Sequence, residues 1–174
     1  MILRTICAVT TAVMIGMMMS GCADSSDNSS ATDKNSSAVL SQSADETLTA
    51  KSVLEQLGDD NLDASAFIGD EVFKANSSKL YGVTQDNFAD AGIIYSGSGG
   101  LADEVSMLKN ADGTSAESIL EKRLESRSTV FENYKPEEMD KLNAAEIFQA
   151  GDYWVLVISD NLETIKDKIT ELTK

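Results

Sequence analysis

The chain has no histidine, one proline and two cysteines among its 174 residues, and each shortage removes a class of function. Without histidine, the commonest general base and the commonest neutral metal ligand are both missing. Only 14 basic residues stand against 29 acidic ones, a net charge of -15. Proteins that bind polyanions neutralise phosphates with Lys and Arg, so no nucleic-acid partner is expected. No apolar run is long enough for a permanent membrane span: residues 6–19 make a stretch of 14, against the ~20 that a helix needs to cross the hydrocarbon core. What is present is ordinary. With 42% hydrophobic and 25% charged residues, the chain can form a packed core, and its length suits one domain.

The N-terminal segment reads as an address. Arg4 precedes the uncharged stretch of residues 6–19, which ends in Met19-Ser20-Gly21-Cys22. A basic residue, a short apolar core and small residues at the end are the marks of a signal sequence. The last four residues resemble the lipobox of bacterial lipoproteins, with Met19 in place of the commoner Leu. In that family the Cys thiol receives diacylglycerol, and cleavage makes the Cys the new N-terminus. The resemblance implies a signal peptide over residues 1–21, recognised through Met19, Ser20 and Gly21, with lipidation at Cys22. The alternative is an ordinary secretory signal with a chance Cys near its end. Cysteine arithmetic supports the first reading, since Cys7 lies in the discarded segment and the mature chain keeps no pair for an internal disulfide. Two acyl chains, at about 0.8 kcal/mol per buried methylene, exceed the marginal hold of a single chain.

Residues 23–46 are rich in Ser, Asp and Asn, and only Val39 and Leu40 are sizeable apolar groups. Such a segment cannot bury enough surface to offset its ordering entropy. It reads, with Cys22, as a tether spanning roughly 27 Å if it behaves as a flexible coil. A single globular domain then occupies residues 47–174.

Within that domain, Ala50, Val53, Leu54 and Leu57 recur at helical spacing, and Gly58 stands where a C-terminal cap belongs. Residues 59–79 read as an acidic loop with one helical turn. Residues 91–95 and 103–109 read as strands joined by the glycine-rich turn of residues 96–100, and 145–149 and 153–158 as a second hairpin. Thr114 with Glu117 and Asp160 with Glu163 have capping-box spacing, and each opens a helix. The first helix ends before Pro136. The second shows an apolar face of Leu162, Ile165, Ile169 and Leu172. The order ββαββα gives an α+β fold: an antiparallel sheet from two hairpins, two long helices on one face, and a short N-terminal helix.

Candidate sites are few. Asp59, Asn61, Asp63 and Asp70 fall at positions 1, 3, 5 and 12 of a calcium loop, but Ala64 replaces the required glycine, and no metal site is expected. Ser106 with Lys109 and the run Ser159-Asp160-Asn161 imitate motifs of penicillin-recognising serine enzymes. That chemistry needs the Ser and Lys one helical turn apart, whereas here they lie on opposite faces of a strand. No credible catalytic constellation remains, so neither enzymatic activity nor a cofactor is expected. The oddest feature is on the long helix, where Arg123 and Arg127 fall near the centre of an apolar arc that includes Leu120, Leu124 and Phe131. Two guanidiniums facing a sheet must find carboxylate or carbonyl partners, and Asp103 or Glu104 can answer them. They form either structural ion pairs or the floor of an anion-recognising pocket.

Leu80-Tyr81-Gly82-Val83, Ala102-Asp103-Glu104, Glu121-Lys122-Arg123-Leu124-Glu125, Tyr134-Lys135-Pro136-Glu137-Glu138 and Gly151-Asp152-Tyr153 together resemble an uncharacterised lipoprotein family of Gram-positive anaerobes with a domain of unknown function of the DUF4358 type. The resemblance covers roughly residues 47–172. It implies a lipid-anchored, extracytoplasmic setting at the cell membrane and carries over no catalytic residues. The expected function is that of an envelope binding or protein-interaction module. It is held to the membrane through diacylglycerol on Cys22, and its partner is an envelope protein or a small ligand. The alternative is a small solute-binding lipoprotein associated with a transporter.

Overall fold

The computed structural model describes residues 48–111 and 115–174. Met19, Ser20, Gly21, Cys22, the tether and Thr114 lie outside the described residues. The described chain runs α1 (Ala50–Leu54), β1 (Ala64–Phe67), α2 (Glu71–Tyr81), β2 (Phe88–Tyr95), β3 (Glu104–Asn110), α3 (Ala116–Tyr134), α4 (Met139–Asn143), β4 (Glu146–Ala150), β5 (Tyr153–Ile158) and α5 (Leu162–Leu172). Single 3-10 turns, Gln85–Asn87 and Pro136–Glu138, precede β2 and α4. Among the described residues no helix is long and apolar enough to cross a membrane.

The five strands form one sheet in the order β1-β2-β3-β5-β4, antiparallel at every pairing. Both expected hairpins are present, β2 with β3 and β4 with β5. They join through β3 and β5 at the centre, where Glu104 pairs with Ile158 and Ser106 with Leu156. The class is the expected mixed one, but the helices are placed differently. α3 and α2 cover one face, where Leu120, Phe131, Phe73 and Tyr81 meet Ile93, Leu108, Leu156 and Ile158. α5 and α1 cover the other, where Ile165, Ile169, Val53 and Leu54 meet Val105, Met107, Val155 and Val157. The reason is in β5 itself. Strand side chains alternate between faces, and residues 155–158 are all apolar and all fully buried. A strand apolar on both sides needs a cover on both sides, so the two long helices divide between them.

β1 and α2 occupy the stretch read as an acidic loop. β1 has four residues, Ala-Ser-Ala-Phe, at the sheet edge, too short for alternation to register. α2 buries Phe73, Ser77 and Tyr81, one side chain every four residues. The serine in the middle breaks the apolar stripe that would have marked a helix. Its end is clear: Gly82, at φ 71°, forms the left-handed cap and donates its N–H to the Ser78 carbonyl. Helix starts also depart from expectation. Ser115 caps α3, accepting from the Ser118 N–H, and Asn161 takes the cap position of α5. Thr49, which accepts from the Ser52 N–H while Ser52 Oγ accepts from the Thr49 N–H, makes a capping box for α1.

One close approach fixes the β2 geometry. A Cβ at Gly92 would stand 2.8 Å from Phe67 Cδ1 and 3.0 Å from Leu54 Cδ1, so α1 and β1 pack against the bare backbone of a central strand.

Candidate functional site

The polar residues of interest lie between α3 and the sheet, at the end of β3 where the chain enters it. Glu104 opens β3, is fully buried and points to the α3 face together with Ser106. A carboxylate at that depth must be paired. Arg123 does this with a fork: its Nε donates to Glu104 Oε1 at 3.0 Å and its Nη2 to Oε2 at 2.6 Å. Ser106 Oγ donates to Glu104 Oε1 at 3.0 Å, and lies 2.9 Å from Tyr81 OH. The serine proton is committed to the carboxylate, so the tyrosine hydroxyl is the donor to Ser106. Burial first, and Glu104 second, push the Tyr81 hydroxyl well above its usual pKa, which keeps it a proton donor at every physiological pH. Edge-on packing against Phe88, and a tilted contact with Phe73, hold the Tyr81 ring in place.

Arg127 is served less well by the same carboxylate. Its Nε is 3.4 Å from Glu104 Oε2 and is buried without a hydrogen-bond partner. Its Nη2 donates to the Ala102 carbonyl at 3.0 Å, and its guanidinium stacks 4.8 Å from the centre of the Phe131 ring. The two guanidiniums therefore titrate in opposite directions. Burial acts against both, but the Glu104 charge and fork carry Arg123 above its ordinary value. For Arg127, burial and the neighbouring Arg123 charge outweigh Glu104 and lower it.

Of the four residues expected to form an ion-pair or ligand site, three come together: Arg123, Arg127 and Glu104. Asp103 does not join them. As the residue before Glu104 it faces the other way, and its Oδ2 accepts from Lys141 Nζ at 2.6 Å. Lys141 also donates to Glu138 Oε2 at 3.1 Å, and Glu138 accepts the Ala102 N–H at 2.9 Å. Burial acts to raise the Glu138 carboxyl, but the Ala102 N–H and Lys141 hold it below the usual carboxylate range. Burial likewise acts against the Lys141 charge, and Asp103 and Glu138 raise its pKa above the ordinary lysine value. Sequence reading missed Lys141 and Glu138. The available signal was the Pro136 turn, which sets Glu138 and Lys141 three residues apart at the start of a short helix.

Above the arginines a groove of about 440 Å³ opens between α2, the β2–β3 loop and α3. Arg123 and Arg127 form its floor on one side and Lys79 of α2 its rim, while Val72, Leu80 and Tyr95 give it an apolar wall. No acidic side chain lines it, in a chain carrying -15 overall. Its volume lies in the range of small-molecule sites.

The other motifs serve the fold. Asp59 accepts from the Asn61 N–H and from Ser159 and Asn161 side chains, Asp63 accepts the Gly97 N–H, and Asp70 accepts the Phe67 N–H. These carboxylates stitch separate loops instead of converging on one point. Among the described residues no group of three or more Cys, Asp or Glu is arranged to hold a metal ion. Ser106 is buried in the Glu104 network, while Lys109 leaves the opposite face to pair with Asp152 at 2.8 Å.

A family model described as a domain of unknown function, DUF4358, matches residues 69–159, just over half of the chain. The match begins at the turn into α2 and ends after β5, so it contains Arg123, Arg127, Glu104 and Lys141 and all of the groove lining but Ala66. It leaves out α1, β1 and α5. No curated protein and no solved structure matches the chain significantly.

Proposed function

Because the chain belongs to the DUF4358 family, a domain of unknown function, we propose from its own residues that it is a lipid-anchored, extracytoplasmic binding module that recognises its ligand in the groove over Arg123 and Arg127. The groove is the observation that carries this reading. A protein with twice as many acids as bases has gathered cations along one small concavity and kept carboxylates out of its lining. Solvated surface charge has no reason to sort itself in this way, whereas recognition of an anionic group does.

The anchor is supported by the Met19-Ser20-Gly21-Cys22 run. Leu48 and Ala50 are tied to the sheet at the Tyr153 and Asp90 end: Tyr153 OH donates to Asp90 Oδ2 and to the Leu48 carbonyl, and the Ala50 N–H donates to Asp90 Oδ2. Asp90 pairs with Lys109, whereas Tyr95 pairs with Glu104. The groove therefore lies at the other end of β3, about 17 Å away at ~3.4 Å per residue.

Cell fractionation of a Cys22→Ser chain tests the anchor. The unaltered chain is expected in the membrane pellet, and the variant is expected to fall there by about tenfold or more, since an unlipidated chain keeps no acyl hold. Equal recovery of both chains in the pellet contradicts the anchor.

A further inference from the structure

Beneath the groove Arg127 is the more weakly bonded of the two guanidiniums, and the groove's lining specifies a ligand. Glu104 is one carboxylate facing two guanidiniums. Arg123 takes both of its oxygens in a fork, and one of those oxygens also serves Ser106 and the other is the one nearest Arg127. Arg127 is left with carbonyl oxygens and a distant share of Glu104, and its Nε has no hydrogen-bond partner. Around them Asp103 and Glu138 share the single cation Lys141 and also act on Arg127, so three carboxylates stand against three cations there, and Lys135 donates to the Gly100 carbonyl nearby. Among the described residues that line the groove, the ionic groups are Arg123, Arg127 and Lys79, the last with an exposed side chain.

The rest of the lining is apolar or uncharged. Val72 is 51% exposed, large for a valine beside a concavity, and with Leu80 and Tyr95 it forms a wall facing the arginines. A fully hydrated inorganic ion would leave that wall wet, whereas a molecule with an apolar substituent would cover it.

We propose that the groove binds a small monoanionic carboxylate carrying an apolar substituent, with the carboxylate between Arg127 and Lys79 and the substituent against Val72, Leu80 and Tyr95. One negative charge suits a groove lined by Arg123, Arg127 and Lys79 and by no carboxylate. A planar carboxylate suits the fork of an arginine that has exposed area left, 19% of its side chain. Glu104 stays in place, because Arg123 already holds it by two short bonds. This inference rests on the groove as the recognition site and is independent of the lipid anchor, so a chain that is membrane-held yet binds no carboxylate would overturn it alone.

The test is calorimetric titration of the full lipidated chain in non-ionic detergent with butanoate, with butanamide and with inorganic phosphate. Saturable binding of butanoate is expected, with butanamide and phosphate each at least about tenfold weaker, since one lacks the charge and the other the tail. Lys79→Gln is the variant that leaves the fold alone, the side chain being exposed. It is expected to weaken butanoate about two- to fivefold, and Arg127→Gln about tenfold or more. Absence of saturable butanoate binding overturns the proposal. So does equal affinity for butanoate and butanamide, equal affinity for butanoate and phosphate, or an affinity that Lys79→Gln leaves unchanged.

Discussion

Glu104→Gln is expected to destabilise the fold by about 3–5 kcal/mol, measured as the midpoint shift in urea unfolding. Glutamine keeps the size of the side chain and most of its hydrogen-bonding reach, so the loss reports the charge. Glu104 has no exposed surface, and the guanidinium forked to it is only 11% exposed. Removing the carboxylate leaves two cations against a sheet face without the one group that both of them pair with, and that lost compensation is the expensive term. The cost is therefore not the worth of the ion pair. A double-mutant cycle separates the two: Arg123→Met should cost less in the Glu104→Gln background than in the unaltered chain, with a coupling of about 2 kcal/mol. Additive single effects would mean that the two side chains do not interact in solution as they do here.

The second large effect belongs to Lys141. Lys141→Met strands Asp103, which is fully buried, loses its 2.6 Å partner on Oδ2 and has no hydrogen-bond partner on Oδ1. A loss of about 3–5 kcal/mol is expected in the same unfolding experiment. Adding Asp103→Asn should recover part of it, because the uncharged amide is far less costly to leave unpaired. If the single variant unfolds at the same urea concentration as the parent, Asp103 is reached by solvent or by another cation, and the burial described above is mistaken. Both losses are electrostatic in origin and differ in their second partner. Lys141 also bonds Glu138, whose depressed pKa gives a contribution that is present above its unfolded value of 4.5 and lost as the pH falls through the lower folded value.

The parts of this fold that were legible in sequence are those where one face of an element carries the signal. β2 carries Ile93 and Ile94, β3 Val105, Met107 and Leu108, and β5 a continuous apolar run, while α5 repeats its apolar groups with helical spacing, so these signals survive in any context. α2 was hidden because Ser77 occupies the middle of its buried stripe, and β1 because four residues at an edge are too few to show alternation. At the C-terminal end of α3, Val130 and Tyr134 are 56% and 67% exposed, off the buried stripe of Ile119, Leu120 and Phe131. The division of helices between two faces is in principle readable from β5, where every residue from 155 to 158 is apolar, because such a strand needs a cover on both sides.

At the site, helical geometry alone brought Arg123 and Arg127 to the sheet face and left Asp103 and Glu104 as competing partners. Adjacent strand residues point to opposite faces, so only one of the two could meet α3, and the pairing of Glu104 with Ile158 and Tyr95 decides which. Lys141 was not legible because its partner Asp103 is reached by a turn and stands 38 positions away. Arg123 and Arg127 could be read as a pocket floor, but most of the groove's apolar wall could not, since Val72 and Leu80 belong to α2, the helix that the pattern concealed.

The account depends on two arginines sharing one buried carboxylate under an open groove, in a chain proposed to lose its leader. Arginine occurs three times, at positions 4, 123 and 127, so the Nε–Hε resonances of arginine-labelled protein extracted from its own membrane test this in one spectrum. Two resonances are predicted, both displaced from free arginine and slow to exchange with water, and both moved by Glu104→Gln. A third resonance, or two that sit at the free-arginine position and exchange rapidly, would contradict it.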